Sequence, residues 1–226
     1  MRRRLKQTAD FCRWSLYLAI VLSAVILLLC RLLITQLYFY QTQIESYLSE
    51  SLLTYVVAEE ARGVWDTIYP VIELDYLRVG PNQVDPGLEA TFVRAVPNYL
   101  QSLRLQTAIW EELSIVDLTI DLNQRPDGSW AIGAFPRSSG SGSATAGQKL
   151  ADMLFRSRSI DIQNLDMNYL FLDGRSFNLK FSEMKAENES NFHRISLKGQ
   201  VDGAENGIEA VLELTGEDYQ FRNMQG

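Results

Sequence analysis

The chain has 226 residues, of which 46% are hydrophobic and 22% are charged, and its formal net charge is −7. Residues 1–40 contain six basic residues and one acid, so the remainder holds 15 basic and 27 acidic residues, a net charge of −12. A body this acidic excludes nucleic acid as a partner, because phosphate binding requires a basic surface. The two cysteines, Cys12 and Cys30, would lie about 27 Å apart on a helix, which excludes an intrachain disulfide.

An uncharged apolar segment near the N-terminus predicts one membrane-spanning helix. Trp14 to Ile34 make 21 residues, about 31 Å of helix, which matches the hydrocarbon thickness of a bilayer. We assign residues 14–37 to this helix, and the positive-inside rule places the basic tail at residues 1–13 in the cytoplasm. Aromatic rings and a snorkelling arginine are expected to anchor it at the two interfaces: Trp14, Tyr17, Arg31, Tyr38 and Tyr40.

Two other interpretations of this segment are a cleaved signal peptide and a buried core helix. A signal peptide has an apolar core of about 7–15 residues and a small-residue cleavage site. The apolar stretch here is longer and no such site follows it. The uncleaved anchor is therefore favoured, with the bulk of the chain in the compartment opposite the cytoplasm.

The segment after the anchor changes from helical to strand periodicity. Residues 38–52 are predicted to form an amphipathic connecting helix, because Ile44, Tyr47, Leu48 and Leu52 recur at helical spacing. Further along the chain the pattern indicates a short helix near Pro97. Period-two alternation predicts strands at residues 54–58, 68–79, 88–96, 106–111, 114–123 and 129–135, with a turn-like break at Gly63-Val64-Trp65.

A Ser/Gly-rich stretch at residues 136–147 divides the strand-rich body and is predicted to be a flexible linker. Residues 53–135 form a first β unit, and residues 148–226 form a second, beginning with a helix at 148–156. Asp127-Gly128, Asp173-Gly174 and Asn206-Gly207 predict hairpin turns. Strands are predicted at residues 159–162, 167–172, 176–184, 193–202 and 208–215.

Each strand alternates between an apolar and a polar face, which predicts a mainly β protein built on an antiparallel sheet with one side away from water. The apolar side permits two interpretations: an ordinary core covered by another layer, or an open groove for acyl chains. The small number of short helices available as cover favours the groove. The candidate apolar-face residues are Ile115, Leu118, Ile120, Phe177, Leu179, Phe181, Ile195, Leu197 and Val201.

The residues that catalysis or metal binding would require are sparse. His193 is the single histidine, so a Ser-His-Asp triad or a histidine metal site would depend on it alone. It is predicted to be exposed and structural. The acid pairs Glu59-Glu60 and Glu111-Glu112 point to opposite faces of a strand and do not converge on one substrate. Without a phosphate-binding glycine motif either, the sequence predicts no catalytic residues, no metal, no cofactor and no enzyme activity.

The order of these segments resembles AsmA-like proteins of the YhdP branch. GVWDTIYPVIELDYLRVG (63–80) is similar to the G-x-W…P-x-L-x-L-x-x-V pattern that opens such proteins. Residues 88–132 resemble their next unit, a strand, a short helix ending near Q-S-L, and a strand pair closing on D-G-x-W. Residues 149–181 resemble the following unit, and the resemblance covers residues 1–216.

This resemblance implies a bacterial inner-membrane protein with a single-pass anchor and a periplasmic body. The body would be a curved antiparallel sheet whose groove carries phospholipid toward the outer membrane. The implied partners are phospholipid acyl chains, the inner membrane and other envelope proteins. Because members of the branch are much longer, the chain is expected to supply the anchor and first groove units, with residues 148–226 a truncated second unit. The alternative is a tethered scaffold that binds another envelope protein through its sheet edge, suggested by the uncapped last strand.

Overall fold

The computed structural model shows a mostly β protein with an N-terminal apolar helix. The strands form one large, curved, unclosed sheet, which confirms the predicted fold class. The structure describes residues 2–52, 54–66, 69–81, 86–105, 109–133, 157–189, 192–201 and 207–215.

The first helix, α1 (Arg2–Thr35), contains the predicted membrane segment. Its window from Arg13 to Leu32 has a mean hydropathy of 2.4 and is not buried against the rest of the chain. The Thr35 hydroxyl donates to the carbonyl oxygens of Arg31 and Leu32 at 3.1 and 3.0 Å. The bond to Leu32 satisfies one of the last four carbonyl groups, which the end of a helix would otherwise leave unpaired.

A 3-10 helix (Leu37–Tyr40) and α2 (Gln41–Leu52) connect α1 to the sheet. Side chains of α2 bind the backbone directly after the first strand: Gln41 donates to the Ala58 carbonyl at 2.7 Å, and Glu45 accepts from the Ala58 amide at 3.1 Å. Leu48 packs against the main hydrophobic cluster. Residues 41–52 of the predicted helix therefore form α2, which links α1 to the sheet.

The remaining described elements are ten strands and one short helix. The helix is α3 (Tyr99–Leu105). The strands are β1 (Tyr55–Val57), β2 (Glu60–Asp66), β3 (Tyr69–Gly80), β4 (Leu88–Pro97), β5 (Trp110–Gln124), β6 (Trp130–Ile132), β7 (Ser159–Leu170), β8 (Ser176–Glu189), β9 (Phe192–Val201) and β10 (Gly207–Thr215).

The strand order is β1-β3-β4-β5-β7-β8-β9-β10, with β2 also pairing with β3 and β6 with β5. Neighbours are antiparallel except β5 and β7, which run parallel from Glu112↔Ser159 to Asn123↔Leu170. A parallel pair requires a long crossover, and the chain between Gln124 and Ser159 supplies it. The strands on the two sides of residues 136–147 thus join in one sheet.

The local predictions have mixed outcomes. Turns at Asp127-Gly128 and Asp173-Gly174 are confirmed, and both glycines have φ of +82°. The predicted break at Gly63-Val64-Trp65 is wrong, because these residues lie inside β2. Gly63 is needed there for a close approach, since an added Cβ would lie 2.0 Å from the Ile34 carbonyl oxygen. The predicted linker at 136–147, the helix at 148–156 and the Asn206 part of the third turn lie outside the described residues.

A line of irregularities crosses the sheet at mid-strand, and we call it the crease. Tyr76 in β3, Asp117 in β5 and Asn164 in β7 have φ of +50°, +52° and +58°, and the β8–β9 register shifts at Ser182. Asp117 and Asn164 are both left out of the pairing between β5 and β7: Val116 pairs with Gln163 and Leu118 pairs with Leu165. β3, β5, β7 and β8 therefore change the parity of their inward-facing residues at the crease, and such irregularities bend a sheet.

Candidate functional site

The register brings the predicted apolar residues to one side of the sheet, which we call the apolar face. Cross-strand pairing connects Ile115 through Ile162 and Met184 to Leu197. The equivalent row on the other side of the crease joins the three residues Leu118, Leu165 and Phe181. All nine predicted residues belong to rows of this kind: Ile115, Leu118, Ile120, Phe177, Leu179, Phe181, Ile195, Leu197 and Val201.

Exposure increases along the apolar face from its centre toward β10. Ile115 and Leu118 are buried, whereas Phe177 is 40% exposed and Leu212 on β10 is 49% exposed. Ile120, Leu179, Phe181, Ile195 and Leu197 are half-buried. The structure therefore shows a continuous apolar surface that is closed at the centre and open toward β10.

Sequence reasoning missed several members of this face. Leu165, Met167 and Met184 lie in the same rows as the predicted residues. Simple alternation cannot find them all, because parity changes at the crease and Ile162 and Leu165 are both inward-facing. The signal that could have found them is the three-residue spacing between apolar positions, which Ile115 and Leu118 already show.

The opposite, polar face is covered by hydrogen bonds between side chains of neighbouring strands. Asn168 donates to Asp121 at 2.9 Å, and Asn178 donates to the side-chain oxygen Oδ1 of Asn168 at 2.5 Å and also to Asp166. Cross-strand pairs of this kind stabilise sheets. These hydrogen-bonded side chains make this part of the opposite face polar.

An aromatic cluster lies at the end of the strands near the two hairpins. The Trp130 ring packs edge-on against Tyr169 at 5.3 Å and Phe171 at 5.1 Å, and Tyr169 lies 6.2 Å from Phe177. Such pairs contribute about 0.5–1.5 kcal/mol each beyond the area they bury. The cluster therefore fixes one rim of the apolar face.

The opposite rim contains a small buried polar cluster that includes His193. The prediction that His193 is exposed is wrong: its exposed fraction is 0%, as is that of Ser157, and that of Asn188 is 3%. Asn188 donates from Nδ2 to the Ser157 carbonyl at 2.6 Å, so its Oδ1 accepts from Nδ1 of His193 at 2.8 Å. Burial lowers the pKa of His193 below its ordinary value of 6.5. The histidine can be buried inside the sheet because its ring has a side-chain hydrogen-bond partner.

Three of the four residues in the two acid pairs lie close to cations, and Glu112 accepts from the Ser114 hydroxyl at 3.3 Å. Glu111 binds Arg158 at 2.6 Å, and Glu59 binds Arg78 at 3.0 Å. Glu60 lies 3.7 Å from Arg62. Within the part of the chain that the structure describes, no group of three or more metal-ligating side chains is close enough to hold a metal ion.

A depression of about 690 Å³ lies across β7 to β10. Its lining combines apolar residues such as Phe181 and Ile208 with charged ones such as Lys198 and Glu209. Lys198 and Glu209 approach to 3.9 Å. Because these charges pair with one another, the depression offers a mixed surface rather than a site for one charged ligand.

The five predicted anchor residues lie at or near the ends of the apolar helix. Trp14 and Tyr17 pack edge-on at 6.5 Å at one end, and Arg31 lies near the other. Tyr38 and Tyr40 follow in the 3-10 helix and are 63% and 48% exposed. The helix is a candidate membrane anchor of the single-pass type.

A curved, unclosed sheet with one apolar face, joined to an N-terminal helix that is a candidate membrane anchor, defines the class of open-sheet proteins with an apolar N-terminal helix. A family model described as "YhdP protein" matches residues 1–224, nearly the whole chain. The chain belongs to the YhdP family, and so to the AsmA-type envelope proteins related to lipid transport. A search of curated proteins returned no match.

Proposed function

We propose that the chain is a periplasmic β-groove protein, anchored in the inner membrane, that takes part in phospholipid transport between the inner and outer membranes and in outer-membrane maintenance. In this proposal the N-terminus is cytoplasmic, the bulk is periplasmic, and the apolar face holds acyl chains. The observation that carries it is the unbroken apolar face, which runs from β3 to β10 beside a candidate membrane anchor.

The chemistry of the two faces supports acyl chains as the ligand. Burying a lipid chain yields about 0.8 kcal/mol per CH₂ group, and the apolar face offers aliphatic and aromatic side chains in every row. The polar face, with its Asp121–Asn168–Asn178 hydrogen bonds, is suited to contact with water. A lipid could therefore place its tails on one face without leaving the protein's polar groups unpaired.

The position of the anchor supports inner-membrane lipid as the supply. α1 reaches β2 where Ile34 meets Gly63, so the sheet begins directly beside the end of the span. The eight strands in the main order have seven spacings of about 4.8 Å, and the sheet therefore extends about 34 Å from β1 to β10. The groove is expected to receive lipid near β2 and carry it toward β10.

Photo-crosslinking in cells tests the proposal. A photoreactive residue at Leu179, on the apolar face, should capture phospholipid, identified by mass spectrometry of the adduct. The matched control is Lys180, the next residue on β8, which points to the polar face and lies 3.6 Å from Asp166. Equal lipid capture at both positions, or none at Leu179, Leu197 and Ile208, would contradict an acyl-chain groove.

A second candidate function is a tethered scaffold that binds an envelope protein by strand addition to β10. The observation that favours it is the exposure of Val211 and Leu212, on opposite sides of β10, at 52% and 49%. Main-chain pairing with a partner strand would bury both residues. Purification with a stoichiometric protein partner and no lipid would support this function over the groove.

A further inference from the structure

The short helix α3 carries its apolar side outward. Leu100 and Leu103 are 84% and 81% exposed, and Tyr99 is 49% exposed. Its polar residue Ser102 instead faces the protein, where its hydroxyl donates to the Ile109 carbonyl at 3.2 Å and lies 3.0 Å from the Ile109 amide. A surface helix in water normally presents the reverse arrangement.

Hydrogen bonds fix α3 in this orientation. The Asn98 side-chain oxygen caps the helix by accepting from the Gln101 backbone amide at 3.0 Å, and the Asn98 backbone amide donates to the Ile109 carbonyl at 2.8 Å. The Asn98 side chain also donates to Glu111 at 2.7 Å. Rolling the helix to hide its leucines would break these bonds, each contributing about 0.5–1.5 kcal/mol.

The position of α3 relates it to the end of the membrane span. It follows β4 directly, and β2 lies across β3 from β4. β2 contacts α1 through Gly63 and Ile34. Burial and the neighbouring Cys30 thiol raise the pKa of Tyr99 to about 12, and Cys30 lies within the Arg13–Leu32 window.

We propose that α3 is a second membrane contact, which dips Leu100 and Leu103 into the outer leaflet of the membrane that α1 crosses. Helices of this interfacial type bury their apolar side at the boundary between headgroups and acyl chains. Arg104, exposed in the last turn, is placed for anionic phosphate groups at the same level. The bilayer fits better than a protein because Tyr99 of α3 lies near Cys30 of the helix that is itself expected to stand in lipid.

This contact gives the groove a defined place of entry. α3 joins the ends of β4 and β5, so its insertion holds that rim of the apolar face at the membrane surface. A lipid could then leave the leaflet along the rim without crossing open water. The inference rests on the membrane anchor in the proposed function, and it does not require that lipid moves through the groove.

Depth-dependent fluorescence quenching tests the contact. The full chain with Cys12→Ser and Cys30→Ser would carry Leu103→Cys labelled with an environment-sensitive dye. It would be reconstituted in phosphatidylethanolamine/phosphatidylglycerol vesicles containing lipids with a spin label near the headgroup. The dye should lose about half of its fluorescence, since an interfacial helix lies within about 5–10 Å of that depth. Leu100→Cys provides an independent position.

The matched control is Leu172→Cys in the β7–β8 hairpin, which is 58% exposed and lies at the opposite end of the strands. This label should be quenched by aqueous iodide and unaffected by the lipid spin label. Iodide quenching at residue 103 equal to that at residue 172 would overturn the proposal. Protection from iodide without quenching by the spin-labelled lipid would also overturn it, because a protein would then cover α3. Neither outcome depends on whether Leu179 captures phospholipid.

Discussion

Asn164 donates a hydrogen bond to Asp117 at 2.8 Å across the parallel pair β5–β7, and both residues have positive φ. Asparagine and aspartate are the side chains that most readily tolerate this left-handed conformation. The two strands therefore bulge at the same level and stay in register beyond it. This shared bulge keeps Leu118 and Leu165 on the same face as Ile115 and Ile162.

Asp117→Val is expected to destabilise the sheet by about 1–3 kcal/mol, because a β-branched residue cannot adopt φ of +52° without strain. Asp117→Gly should stay within about 1 kcal/mol of the parent, since relief of strain offsets the lost hydrogen bond. Guanidinium unfolding in mild detergent, followed by tryptophan fluorescence, measures both. Thr119→Val, two residues along the same strand, is the control, and a loss as large as that of Asp117→Val would contradict the explanation.

Gly63→Ala is expected to separate α1 from β2, because its Cβ would lie 2.0 Å from the Ile34 carbonyl oxygen. Overpacking of this kind costs about 1–3 kcal/mol. The measurement is the unfolding midpoint, together with the rate of trypsin cleavage after Arg62, which should increase. At Gly207→Ala the new Cβ meets the nearest atom at 3.4 Å, so that variant should behave as the parent.

The buried His193 is expected to make stability depend on pH. Burial lowers its folded-state pKa below the unfolded value of 6.5. Just below pH 6.5 the histidine is therefore protonated more fully in the unfolded chain than in the folded chain. Stability should therefore be complete above about pH 7 and fall as the pH drops through 6.5, by about 1.4 kcal/mol for each unit of pKa depression. His193→Gln should flatten the unfolding profile between about pH 7 and pH 5.5. An unchanged slope in that variant would assign the effect to other groups.

Ile208→Arg and Val211→Arg test whether bound phospholipid depends on the apolar face or only on the charge of the surface. Both residues lie on β10 and are 39% and 52% exposed, but they point to opposite sides of the sheet. Ile208→Arg should reduce the phospholipid that copurifies with the chain to about half or less, because a charge is costly among acyl chains. Val211→Arg should leave it unchanged. Phosphate analysis per mole of protein measures both, and equal losses would count against the groove.

Much of the local structure was predictable because it depends on short-range patterns. An apolar stretch such as Trp14–Ile34 has few alternatives to a helix. The Asp127-Gly128 and Asp173-Gly174 turns follow from the residues that accept positive φ. The parallel pairing of β5 and β7 was not predictable, since alternation is the same in parallel and antiparallel strands and register is a long-range property.

The sequence by itself determined the apolar helix at residues 14–34, the two-faced strands and the presence of a single histidine, because each of these follows from residue type and spacing. Only the tertiary structure decided that Gly63 belongs to a strand packed on Ile34, that His193 is buried, and that α3 points Leu100 and Leu103 outward. These outcomes depend on which distant segments become neighbours. The crease depends on both the sequence and the tertiary structure. Asp117 and Asn164 tolerate positive φ locally, and the pairing of β5 with β7 places the two residues side by side.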